Sequence, residues 1–255
     1  SRTLGLEFGG AIGIVLFFAQ SVSIAFYCIG FGEAMAEIFP VAARAWPQII
    51  AAVAVCFLFI FAWLGADWAS RFQFVVMAVL TLALVSFFAG GMLNWEMATF
   101  GKNWHSAPDS PPFWVLFAIF FPAVTGFTQG VSMSGDLKDA GKSLPTGTFS
   151  AVGLSFLVYL GAAVVFAGAA DQPALVADYN AMNRVAIFQS LIFAGVIAAT
   201  LSSAMASFLG APRILQSMAA DRIFPFLYMF AQGSGPSQNP RRGVLLSGGI
   251  ALTTI

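Results

Sequence analysis

Charge is what this chain has least of. Its 255 residues include 11 Lys+Arg and 11 Asp+Glu, so only 9% are charged and the net charge is zero. A soluble domain of that size carries roughly a quarter charged residues. A neutral, charge-poor chain offers no electrostatic footprint for nucleic acid. There is one histidine, His105, which falls in a polar loop and cannot build a metal site alone. The two cysteines, Cys28 and Cys56, lie in different apolar runs and read as small buried hydrophobes. No HExxH, Cys/His pairing, paired carboxylates or phosphate-binding glycine loop occurs, so the chain reads as no enzyme and needs no cofactor. No Asn-x-Ser/Thr acceptor occurs either. The start "SRTLGLEFGG" has neither the basic region nor the cleavage site of a signal peptide. It also lacks Met, and the chain ends inside an apolar run, so a longer protein is expected on both sides.

What is present is apolar. Hydrophobic residues make up 59% of the chain, with 28 Phe, and the mean hydropathy is +0.87. Such a surface is solvated by lipid. Crossing the hydrocarbon takes about 20 apolar residues as helix. Runs of about that length fall at 10–31, 49–65, 72–93, 113–135 (broken), 148–170 and 185–209, with a truncated run at 243–255. They do not alternate polar with apolar as barrel strands would. The expected fold is an all-α, polytopic membrane bundle, in one transporter domain over 1–255.

Alternating seven spans places eight Lys/Arg on the side of the N-terminus: Arg2, Arg71, Lys138, Lys142, Arg213, Arg222, Arg241 and Arg242. The other side holds Arg44, Lys102 and Arg184. The bias makes the N-terminus cytoplasmic, in a plasma or bacterial inner membrane. The loop after residue 210 places Ile214, Leu215, Met218 and Ile223 near one helical face. It predicts a short separate helix lying against the bundle or the membrane interface.

The stretch "FFPAVTGFTQGVSMSGDLKD" stops behaving as a membrane helix partway across. Pro122 removes a backbone donor and frees the carbonyl one turn earlier. Gly126 and Gly130 permit conformations that other residues resist. Non-helical backbone is tolerated in hydrocarbon only beside a cavity or inside protein. The pattern therefore predicts an unwound patch, whose carbonyls can hold a cation and whose N–H groups can hold an anion. A proline kink without a ligand has the same signature.

A second polar patch, "AATLSSAMASFLG", places the Ala199 carbonyl and the hydroxyls of Ser202 and Ser203 on one helix face. One carbonyl and two hydroxyls suit a small alkali cation, and small residues also serve helix packing. The first span adds Gln20, Ser21, Ser23 and Tyr27, whose hydroxyl needs a partner in an apolar run. The spans, as delimited above, contain no Asp, Glu, Lys or Arg. A bare cation held by dipoles alone is costly to bury. Either a charge lies outside these spans, or the cation travels with an anion or as part of a zwitterion.

These stretches resemble a known family. "FAIFFPAVTGFTQGVSMSGDLKDAGKSLPTGT" is similar to the discontinuous sixth helix of the cation-chloride cotransporters, within the amino acid-polyamine-organocation superfamily. "EFGGAIGIVLFFAQSVSIAFYCIGFGEA" resembles their third helix, and "AATLSSAMASFLGAPRILQSMAADRIFP" their eighth with the following loop. "NPRRGVLL" resembles the start of the ninth. The likeness implies a fragment of an inverted-repeat (5+5) fold with a discontinuous helix, covering helices three to eight and the start of nine. It implies potassium contacts from Tyr27, Pro122 and Thr125. It implies chloride contacts from Gly126, Phe127 and Thr128, and sodium contacts from Ala199, Ser202 and Ser203. The paired serines are typical of sodium-dependent members.

The likeness further implies symport of chloride with sodium and/or potassium, inorganic ions and lipid as partners, and a homodimer of the full-length protein. Two other readings stay open: an amino-acid permease on the same fold, and a regulatory subunit that transports nothing. The short segment between Asp171 and Arg184, Gln129 and Met133 depart from the family's usual pattern.

Overall fold

The computed structural model describes residues 5–39, 45–105, 110–124, 126, 129–132, 134, 137–178, 180–235 and 238–255. Among them the chain is all-α apart from 3-10 turns and one isolated bridge between Ser234 and Asn239. The helices are α1 Leu6–Ile38, α2 Trp46–Leu64, α3 Ala66–Leu93, α4 Met97–Asn103, α5 Phe113–Phe120 and α6 Gln129–Ser132. They continue with α7 Ala140–Ala169, α8 Gln172–Ala177, α9 Ala181–Val185, α10 Gln189–Ala220 and α11 Arg241–Thr254. Two 3-10 segments, Phe121–Val124 and Pro225–Phe230, follow α5 and α10.

Among the described residues, five stretches are long and apolar enough to cross a membrane: Leu6–Ile38, Trp46–Leu64, Arg71–Leu93, Ala140–Ala169 and Gln189–Ala220. Their outer faces carry large apolar side chains such as Phe26, Phe74, Phe149 and Phe156, all more than 60% exposed. In water such a face would be an association hazard; in lipid it is the solvated surface. The expected fourth span is not one continuous helix, since α5 has eight residues and ends at Phe120.

The chain forms two compact units, residues 1–80 with 196–255, and residues 81–195. In the first, α1 buries Ile24, Ala25 and Cys28 completely. Gly32 lets α1 meet the start of α2, because a Cβ there would sit 2.2 Å from the Pro47 carbonyl oxygen. The Asn239 side chain donates to the carbonyls of Ala62 and Trp63, at 3.2 and 3.0 Å, closing the last turn of α2.

The expected short separate helix after residue 210 is instead the end of α10. That helix runs unbroken through Pro212, which is fully buried. A proline costs a helix one hydrogen bond and a steric clash, and here close packing offsets both, with Gly243 of α11 seated against the Pro212 ring. Ile214, Leu215 and Met218 share the expected helix face, while Ile223 lies past the end of α10. Leu215 and Met218 are buried with Phe17 of α1, and Ile214 and Ile223 pack around them.

In the second unit, Ala83 and Phe87 of α3, Val165 of α7, Val185 of α9 and Ile192 of α10 form one buried cluster. The polar stretch after α3 is more ordered than a loop. It carries α4, whose Asn103 amide donates to the Ala167 and Ala170 carbonyls at 2.9 and 2.8 Å. The segment after α7 holds α8 and α9 and an ion pair, Arg184 Nε to Asp178 Oδ2 at 2.7 Å.

Candidate ion-binding site

The first group is the broken helix in the second unit. Helix α5 stops at Phe120, and the backbone tightens to 3-10 geometry over Phe121–Val124. Pro122 lies inside that tight turn, where its missing N–H and fixed φ are least disruptive. Gly126 follows with φ at +94°, a region that side chains disfavour. Among the described residues no atom lies within 4 Å of where its Cβ would be, so the backbone conformation is what favours glycine there. Helix resumes at Gln129. Helix α7 then starts from Asp139, whose Oδ1 accepts from the Lys142 N–H at 3.3 Å. Thr125, Phe127 and Thr128 lie outside the described residues, as does the side chain of Pro122.

A residue that the sequence reading passed over secures this break. Tyr159 of α7 donates its hydroxyl to the Ala123 carbonyl at 2.7 Å, and its ring meets Phe120 edge-on at 5.4 Å. A 3-10 turn that ends in irregular backbone leaves carbonyls without helical partners, and Tyr159 satisfies one of them. The signal was available: a tyrosine in an apolar span needs a partner for its hydroxyl, the argument already applied to Tyr27.

The second group lies on α10 in the first unit. Ala199, Ser202 and Ser203 fall at three- and four-residue spacing on a continuous stretch of helix, so they share a face. All three are partly buried or less. Among the described residues the Ser203 hydroxyl makes no hydrogen bond. The Ser202 hydroxyl does, donating to Gln73 Oε1 of α3, while Gln73 Nε2 donates back to the Ser202 carbonyl at 3.1 Å. The sequence reading missed Gln73, a lone amide near the start of an apolar span.

Tyr27 lies one turn before Gly30 on α1, and Gly30 meets Thr200 of α10, whose Cγ2 would be 3.7 Å from a Cβ at that glycine. Tyr27 is half-buried, and among the described residues its hydroxyl has no hydrogen bond. The other hydroxyls of α1 are used locally. Ser21 donates to the Phe17 carbonyl and Ser23 to that of Ala19, each at 2.8 Å, which makes them part of their own helix. Tyr27 and the serine group thus belong to one unit, and Pro122 and Gly126 to the other.

Among the described residues no group of three or more His, Cys, Asp or Glu could hold a metal ion. The donor set is hydroxyls and backbone carbonyls, which are hard oxygens suited to alkali cations rather than transition metals.

Among the described residues, long apolar helices with exposed apolar surfaces define an integral, multi-pass membrane protein. The amino acid permease family model matches residues 1–255, and the chain belongs to that family. It is 33% identical over 309 residues to solute carrier family 12 member 2 of Homo sapiens, covering 99% of this chain and 25% of that protein. It is 32% identical over 308 residues to member 2 of Squalus acanthias, covering 99% and 26%. Against solute carrier family 12 member 1 of Mus musculus it is 30% identical over 311 residues, covering 100% and 28%. The chain therefore spans about a quarter of the length of these curated relatives. The resemblance read from the motifs stands.

Proposed function

We propose that the full-length protein is a symporter that moves chloride with sodium and/or potassium by alternating access. The observation that carries this reading is the break between Phe120 and Gln129, with its 3-10 turn and left-handed Gly126. Irregular backbone at membrane depth suits a site where carbonyls meet a cation and N–H groups meet an anion. In this reading Tyr27, Pro122 and Thr125 contact potassium, and Gly126, Phe127 and Thr128 contact chloride. Ala199, Ser202 and Ser203 contact sodium, whose gradient drives the cycle. The relatives in solute carrier family 12 support it, as does the lack of Asp, Glu, Lys and Arg in the spans read from the sequence, which favours moving opposite charges together. The reading needs no resident cofactor. It places the protein in the cell membrane as a homodimer, with the N-terminus of this chain on the cytoplasmic side.

The experiment is uptake of radioactive rubidium, sodium and chloride by the full-length protein in proteoliposomes. Each flux is expected to depend on the other ions. Thr125→Ala is expected to weaken rubidium uptake, and Ser203→Ala to weaken its sodium dependence. Unchanged ion dependence in both variants would reject the assignments.

The family's description, amino acid permease, supports a second reading. The same break could hold a zwitterion, its carboxylate on N–H groups and its ammonium on carbonyls. Amino-acid uptake without mutual ion dependence would establish it in place of the first. No flux of either kind would point to a regulatory subunit.

A further inference from the structure

Gln73 and Ser202 close a ring of two hydrogen bonds between α3 and α10. Chemistry alone fixes the protons in that ring. The Ser202 carbonyl oxygen has no proton to give, so the carboxamide must present its NH2 to it, and does so at 3.1 Å. The carboxamide oxygen then faces the Ser202 hydroxyl, and the hydroxyl must donate. A serine hydroxyl has one proton and two lone pairs. With the proton spent on Gln73, Ser202 keeps only its acceptor character toward any ligand. It can coordinate a cation and cannot donate to chloride or to a carboxylate.

We infer that Gln73 is a positioning residue that commits Ser202 to cation binding. The inference rests on the sodium reading of Ala199, Ser202 and Ser203 given above. It also separates the two serines. Ser203 has no partner among the described residues, so its hydroxyl takes its orientation from the ion, whereas Ser202 is oriented beforehand. Groups that hold metal ligands from behind contribute about 10–100-fold to affinity. Since Gln73 acts on one ligand of several, the lower end applies.

The test uses the full-length protein in proteoliposomes and measures the sodium concentration that half-saturates rubidium uptake. Gln73→Leu is expected to raise it about tenfold, with the half-saturating rubidium and chloride concentrations unchanged at saturating sodium. Gln73→Glu still accepts the Ser202 proton but loses the donor to the Ser202 carbonyl, so it is expected to restore sodium dependence only in part. In a Ser202→Ala background Gln73→Leu should add nothing. The inference is overturned if Gln73→Leu shifts rubidium and chloride as much as sodium, because the amide would then serve general packing. It is also overturned if Ser202→Ala weakens sodium dependence and Gln73→Leu does not, an outcome that leaves the sodium reading intact. If Ser202→Ala itself changes nothing, the sodium reading fails and the inference with it.

Discussion

The Tyr159 hydroxyl lies 2.7 Å from the Ala123 carbonyl oxygen, so one side chain of α7 holds the turn in which α5 ends. Tyr159→Phe keeps the ring against Phe120 and removes only the bond. A net hydrogen bond contributes about 1 kcal/mol. Apparent rubidium affinity is therefore expected to fall by about fivefold, read from uptake against rubidium concentration, with the amount of folded protein unchanged.

Gly126 makes a different demand, because its φ of +94° penalises any side chain. Gly126→Ala introduces roughly 1–3 kcal/mol of backbone strain. The segment should relax to another conformation, and chloride-dependent flux is expected to drop by about tenfold or more. Gly153→Ala in α7, where a Cβ meets open space within a regular helix, is the control and should leave flux unchanged.

Gly32 tests packing rather than conformation. A Cβ there would meet the Pro47 carbonyl oxygen at 2.2 Å, and backbone cannot rotate away as a side chain can. Gly32→Ala should force α1 and α2 apart and cost about 1–3 kcal/mol. The expected result is a lower thermal unfolding midpoint in detergent, and an unchanged midpoint would contradict the close approach.

Asn239 closes the C-terminus of α2 through two donated bonds. Asn239→Asp replaces the donor with a negative acceptor beside carbonyls that already carry the negative end of the helix dipole. A loss of about 1–3 kcal/mol is expected, measured by the same unfolding assay. Asn239→Gln, which keeps a donor, should lose less.

The spans were legible because lipid sets the criterion: a run of apolar residues without charge. The break was legible because Pro122 and Gly126 act on the backbone itself. The end of α10 was not. Hydropathy falls after Leu209, but hydropathy records which atoms face lipid and not how far a helix continues. A proline inside a helix usually kinks or ends it, and only the packing of Gly243 against Pro212 shows why the helix passes through. Gln73 and Tyr159 were missed for a related reason. Each is one polar side chain in a mostly apolar span, and its partner, Ser202 or Ala123, lies on another element that sequence spacing does not reveal.

The uninterrupted course of α10 has a mechanical consequence. Ser202 and Met218 are sixteen residues apart on one helix, about 24 Å at 1.5 Å per residue. Met218 and Leu215 are wedged beside Phe17 of α1. Whatever tilts the serine end therefore swings the far end through that wedge, like the two arms of a lever. An event at the proposed ion ligands would be felt at the packing between α1 and α10 without any loop to carry it.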